Sequence, residues 1–179
     1  MGKPRDKLLN VHYFGYFSLI NLIRINVLIG KSHNAHQYIS IFNHSIIKNV
    51  ILKDFSAASN FFYYSGFAMM MTGFYKESIK IIENLCLFMN KYKQYMSRTY
   101  KSNVVGRMAD KSIQMLAVAL LFYPMTIESS LTFAIEKRLG DKLVRLQKGN
   151  EQVVMECLGG TPKVIDPILN LEHYVNFEK

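Results

Sequence analysis

The sequence predicts an all-α protein, a right-handed stack of antiparallel helical hairpins with about seven or eight helices. Three observations predict it. Apolar residues recur at helical spacing along most of the 179 residues, and nothing alternates at period two long enough to suggest a sheet. Glycines fall where one helix should stop and the next begin, at Gly30, Gly73 and Gly140. Half of the residues are apolar and only 4 are proline, which excludes a disordered chain and supplies a packed interior.

The elements follow in order. Residues 11–29 are apolar almost all round except for Gly15, Ser18, Asn21 and Arg24, so this helix is expected to be buried on most of its surface. Gly30-Lys31-Ser32 ends it, and Asn34 can cap a second helix with Ala35, Tyr38, Ile39 and Phe42 inward. Asn43 to Phe55 is mixed, a continued helix and then a loop. A third helix is predicted near Ser59–Thr72, stopped by Gly73. A fourth starts at Tyr75 and places Ile79, Ile82, Leu85, Cys86, Met89 and Tyr92 on one face. Lys76, Lys80, Glu83, Asn84 and Lys91 are left for water.

Ser97 to Asn103 is polar and basic and reads as a linker. Asp110 to Tyr123 follows as an apolar helix with Ile113, Leu116, Ala117 and Leu120 inward, and Pro124 ends it because the residue before a proline is pushed out of helical geometry. Thr126 is the expected cap of a helix reaching Leu139, closed by Gly140. Asp141 is expected to cap a short helix ending at Gly149, and Asn150 another ending at Gly159-Gly160. The expected organisation is one repeat domain over 1–160 and an extended tail over 161–179, which contains Pro162 and Pro167.

The first two hairpins resemble each other. Gly30-x-Ser32-x-x-Ala35 and Gly73-x-Tyr75-x-x-Ser78 both put a turn glycine before small residues, where helices must approach closely. Gly66 and Gly73 have the seven-residue separation of a tetratricopeptide repeat, so the stack is read as tetratricopeptide-like, with an insertion near Asn43–Phe55. A generic helical bundle is the alternative.

Charge is uneven along the chain. The net charge is +9, and residues 1–100 hold 12 Lys/Arg against 4 Asp/Glu, so any attraction to an anionic partner lies in that part. From Lys91 to Lys111 the cations Lys91, Lys93, Arg98, Lys101, Arg107 and Lys111 face Asp110 alone, with Tyr92, Tyr95 and Tyr100 interleaved. Cations can neutralise phosphates while aromatic rings stack on unpaired bases, so this is the expected place for any RNA contact. The alternative is a solvated face whose tyrosines pack down on the scaffold.

No motif for chemistry survives inspection. Gly30-Lys31-Ser32 has Ile25 where a phosphate-binding loop needs its first glycine. His33 and His36, with His44 beyond, lack a third strong metal ligand nearby, so no metal is expected. Ser129-Ser130 has no nucleophile-elbow glycines, and Glu77, Glu83, Glu128 and Glu136 sit in no cluster that would tune an acid or base. No catalytic residue and no cofactor are expected. Cys86 and Cys157 read as reduced core thiols of an intracellular protein. Asn21, Arg24 and Asn26 interrupt the one long apolar run, which argues against a membrane span and for a cytoplasmic protein.

From Leu116 onward the residues resemble a known family. Leu116-Ala117-Val118-Ala119-Leu120 leads into Tyr123-Pro124-Met125 and Ile127, then Gly140-Asp141-Lys142, Arg145 and Gln147-Lys148-Gly149. Gly15-Tyr16-Phe17-Ser18-Leu19 with Leu22, then Tyr63-Tyr64, Gly66-Phe67-Ala68 and Tyr75 agree in order and spacing. The series is similar to the L subunits of the eukaryotic translation initiation factor three complex. Thr126 and Leu139 depart from the pattern, and residues 43–60 match poorly.

The resemblance implies a non-catalytic subunit of an assembly that binds the small ribosomal subunit. It further implies a C-terminal PCI module, expected to begin about where the sequence stops at Lys179, and PCI-type neighbours such as subunits K and E. A peptide-binding adaptor of the tetratricopeptide type, using Asn21, Arg24 and Asn26, and a basic RNA-contacting helical module are the alternative functions.

Overall fold

The computed structural model describes residues 4–96, 102–159 and 161–163, and among these it contains nine α-helices, one 3-10 turn and no strand. They are α1 (Pro4–Leu28), α2 (Ser32–Ile39), α3 (His44–Asn49), α4 (Phe55–Met71), α5 (Tyr75–Met96), α6 (Ser102–Phe122), α7 (Ser129–Leu139), α8 (Asp141–Gln147) and α9 (Glu151–Leu158), with the 3-10 turn at Ile51–Lys53. Most packing joins neighbours in the sequence, α1 on α2, α4 on α5, α5 on α6 and α6 on α7, while α1 also packs on α4 and α6 on α8 and α9. This is the succession of helical hairpins that the periodicity predicts. None of the described helices is long and apolar enough to cross a membrane.

Three helices end in the same way, and the reason is local. After α1 the N–H of Gly30 donates to Val27 O and that of Lys31 to Asn26 O. After α4 Gly73 donates to Met70 O and Phe74 to Met69 O, and after α8 Gly149 donates to Leu146 O and Asn150 to Arg145 O. Each pair closes the orphan carbonyls of a last turn, and each needs a left-handed residue. Gly73 supplies it with φ +83°, a region that costs a side-chain-bearing residue a steric penalty.

The α4–α5 hairpin is a close contact at the centre of the stack. A Cβ placed on Gly66 would come within 2.6 Å of Ile82 Cγ1, so glycine there lets the two helices approach. The buried Ser78 hydroxyl donates to the Gly66 carbonyl at 2.7 Å, which fixes the register of the pair. The small residues on both sides of the turn therefore do what the repeat pattern anticipates.

Burial around the helices corrects the sequence expectation. The helix enclosed almost all round is α4, in which Phe61, Phe62, Tyr63, Phe67, Ala68, Met69 and Met70 are all buried. The first helix was expected in that role, yet Phe14 is 70% exposed and Ile25 53%. The reason is position. Helix α4 lies among α1, α2, α5 and α6, whereas the described part of α1 packs mainly on α2 and α4 and leaves its other side to solvent. Gly15, Ser18, Asn21 and Arg24 do lie on that open side, as expected.

Helix boundaries differ from expectation where caps compete. The cap of α2 is Lys31 rather than Asn34, and Asn43 starts a separate α3 by accepting the Ile46 N–H at 2.9 Å. Phe42 is buried but lies beyond the end of α2. Asp54 accepts the Ala57 N–H at 2.6 Å and starts α4 four residues before Ser59. Helix α6 reaches back to Ser102 because Val105 and Ala109 continue the buried stripe of Ile113 and Leu116. Ser102 and Asn103 are thus helical rather than linker, while residues 97–101 of that segment lie outside the described residues. Helix α7 starts at Ser129, not after Thr126, because Met125 and Ile127 turn inward in the preceding loop. Asp141 is the first residue of α8, whose cap is Gly140. Asn150 caps α9 as expected, accepting from Val153 N–H at 3.3 Å. The tail expected over 161–179 lies outside the described residues from 164 onward.

Candidate interaction surfaces

At one end of the stack the basic segment comes together with an aromatic cluster. Lys91, near the end of α5, and Arg107 and Lys111, in the first half of α6, are exposed. The Phe55 ring at the start of α4 lies 4.6 Å from Tyr92 and 5.9 Å from Phe88, and Phe88 lies 4.7 Å from Tyr92. Of the remaining expected RNA-contact residues, the Lys93 side chain, Arg98 and Lys101 lie outside what is described.

At the other end the family-signature residues form a corner. Pro124 ends α6 and Tyr123 is exposed. Gly140, with φ +46°, is the single residue between the end of α7 and the start of α8. The Lys142 ammonium pairs with Glu156, holding α8 to α9. Both groups are exposed, so the pair contributes little stability and serves mainly to set orientation. Asp141, Arg145, Gln147, Lys148 and Gly149 lie exposed on the same turn and helix. Behind them lies a groove of about 540 Å³, lined by Leu120, Leu121, Met125, Ile127 and Leu143 with Thr126, Thr132, Glu136 and Gln147. Its lining is mostly apolar with Glu136 as its one ionisable group, a composition suited to binding rather than to proton transfer.

Two polar contacts between helices tie this corner to the core, and periodicity gave no sign of either. The Glu83 carboxylate on α5 accepts the Glu128 N–H at 2.9 Å, capping α7 from a different helix. Asp110 on α6 pairs with Arg138 on α7. Glu83 is polar and off the apolar stripe, so periodicity assigns it to water. Its partner is a backbone N–H 45 residues away, which no local pattern announces.

The remaining candidates separate. Asn26 is buried and donates to Leu22 O at 2.8 Å, whereas Arg24 lies over the Tyr64 ring at 5.7 Å and Asn21 is exposed. These three do not converge as a peptide clamp requires. His33 is exposed, and His36 packs edge-on against Phe74 with ring centroids 4.6 Å apart. Among the described residues no three His, Cys, Asp or Glu side chains are grouped to hold a metal. Gly30 and Lys31 serve as the turn after α1, and Ser32 opens α2.

Both cysteines are free and buried. Burial pushes the Cys86 thiol up to about 12 from its ordinary 9.0, against a lowering by Arg138 and helped by Glu83. Burial also raises Cys157, with Glu156 adding and Lys142 opposing. A thiol must ionise to react, so neither should be modified by a disulfide reagent at neutral pH in the native protein, and both should react after unfolding in guanidinium. Stability owed to keeping Cys86 neutral is intact below pH 9 and is lost as pH climbs from there towards 12. Rapid native-state labelling of Cys86 at neutral pH would contradict its placement.

Comparison with known proteins adds three findings. The family model of the RNA polymerase I-associated factor PAF67 matches residues 4–179. The proteins named eukaryotic translation initiation factor 3 subunit L from Homo sapiens and Bos taurus are each 31% identical over 164 residues, covering 87% of this chain and 28% of the relative. The protein of the same name from Danio rerio is 31% identical over 176 residues, covering 92% of this chain and 29% of the relative. The chain thus spans under a third of the length of the curated relatives it matches.

Proposed function

The chain belongs to the PAF67 family, and from that premise we propose that it is a binding scaffold within eukaryotic translation initiation factor 3, supporting assembly of the factor on the small ribosomal subunit in the cytoplasm. The observation behind this reading is the interior itself. Every described helix contributes side chains to one packed apolar core, and of the polar groups found inside it Ser78, Asn26, Ser59 and Ser112 are turned to backbone carbonyls, while the Ser65 hydroxyl stands without a hydrogen-bond partner among the described residues. A surface of stacked helices with such an interior works through its outer shape.

In this reading the signature residues act as architecture. Pro124, Gly140 and Gly149 fix the corner of α6 to α9, and Lys142 holds α8 against α9. The partners are neighbouring PCI-type subunits, with K and E the first to test. Contact with the ribosome would pass through them. A PCI module beyond the tail, separate from the repeat domain over 1–160, belongs to the same reading.

The 179-residue chain, immobilised and offered each factor 3 subunit separately, is expected to retain one or two of them saturably. The binding should persist above physiological salt, because apolar contacts and not long-range charge hold such interfaces. Retention of none would overturn the scaffold reading. Saturable capture of short acidic C-terminal peptides in its place would favour the peptide-adaptor alternative.

A further inference from the structure

We propose that the end of the stack formed by the start of α4, the end of α5 and the start of α6 binds single-stranded RNA, with Lys53, Lys91, Arg107 and Lys111 meeting phosphates and Tyr92 offering its ring to a base.

Cations from three separate elements, the 3-10 turn, α5 and α6, are carried towards this end. Lys53 closes the 3-10 turn two residues before Phe55, whose ring touches Tyr92 next to Lys91. Lys91 lies five residues before the end of α5, and Arg107 five residues after the start of α6. These helices pack as a pair joined by residues 97–101, so at 1.5 Å per residue both cations stand about 7.5 Å from the same end. Lys111 is one turn beyond Arg107 on the same face of α6. All four are exposed, and none is salt-bridged among the described residues.

The charge there is only partly compensated. From Asn84 to Ala109 the sequence holds no Asp or Glu. The two acids that flank this end are already engaged. Asp54 accepts the Ala57 N–H at 2.6 Å as the cap of α4, and Asp110 pairs with Arg138. Such a cluster attracts any polyanion. The half-buried ring of Tyr92, backed by Phe55 and Phe88, is the feature that favours a nucleic acid, because every unpaired base has a face to stack on it. A peptide of acidic residues would have no use for that platform. The inference goes beyond the scaffold reading and can fail without it, since it concerns residues other than those of the signature corner.

Binding of a labelled single-stranded RNA of about a dozen nucleotides to the 179-residue chain, followed by anisotropy from about 50 to 200 mM salt, is the test. The chain should bind saturably, and the variant Lys53→Gln, Lys91→Gln, Arg107→Gln, Lys111→Gln should bind at least tenfold more weakly. Its slope of log affinity against log salt should be shallower by about 3, at about 0.7 for each phosphate contact removed. Tyr92→Leu should lose about tenfold with the slope unchanged. A matched variant away from these positions, Lys31→Gln, Lys76→Gln, Arg145→Gln, Lys148→Gln, should retain affinity. Circular dichroism melting of each variant separates lost binding from lost folding, and the four cations are exposed enough that melting should not move. The proposal is overturned by absence of RNA binding, by equal losses in the two four-site variants, or by polyglutamate binding more tightly than RNA.

Discussion

Replacing Phe67 with Ala is expected to lower the unfolding free energy by about 3–5 kcal/mol, the range for removing a fully buried ring. Phe67 is wholly inaccessible to solvent and sits in α4, which lies among α1, α2, α5 and α6. The surrounding side chains belong to several helices, so no single one can move in to fill the space. Urea denaturation should show the midpoint falling with little change in slope. Phe133→Ala on α7 is the control, because that ring is 65% exposed and its loss should stay within about 0.5 kcal/mol. Similar losses for the two would mean that α4 is not the centre of the stack.

The residue next to Phe67 is expected to fail for the opposite reason. Gly66→Leu puts a Cβ 2.6 Å from Ile82 Cγ1 and further atoms beyond it, where the helices α4 and α5 already touch. The pair must spread, and the Ser78 hydroxyl then loses its 2.7 Å bond to the Gly66 carbonyl. A cost of about 3 kcal/mol is expected, set by overpacking rather than by an empty space. Helix propensity acts the other way, since leucine is better than glycine inside a helix by about 1 kcal/mol, so a net gain in stability would show that the helices have room between them. Adding Ile82→Ala should recover part of the loss. A double-mutant cycle on the two positions should therefore show a coupling above about 1 kcal/mol, whereas additive effects would contradict the contact.

The stack was legible in the sequence because its signals are local. Gly73, Ser78 and the apolar face from Ile79 to Tyr92 fix a helix end, a close approach and a helix beginning within a few residues of one another. Asn150 was legible as a cap for the same reason. What the sequence hid was the order of layers. The segments that became α1 and α4 are both apolar nearly all round, and periodicity cannot tell the helix in the middle from the helix at the edge. Only the packing of α5 on α4 decides it. The start of α7 was hidden too, since Thr126 is as good a local cap as the chain offers, while Glu83 reaches Glu128 from another helix.

For the candidate surfaces the balance is similar. The basic run and its tyrosines could be read as a run. The sequence could not show that Lys53 joins them, because Phe55 and Tyr92 meet only in the folded chain. It likewise gave no hint that Asp54 and Asp110 are engaged elsewhere and leave those cations alone. Asn26 was misjudged for a related reason. An asparagine in an apolar helix suggests a solvent-facing ligand contact, but its amide can reach back to the Leu22 carbonyl and be buried at little cost.

The helices mostly touch those next to them in the chain, and this has a mechanical consequence. Tension drawn along the stack would peel it from an edge, layer after layer, where a sandwich or barrel would resist and then give way at once. Because the contacts are short-range in sequence, a peeled layer has only a small loop to close before it snaps back. Such a molecule behaves as a compliant spring that stretches and recovers without losing its own centre.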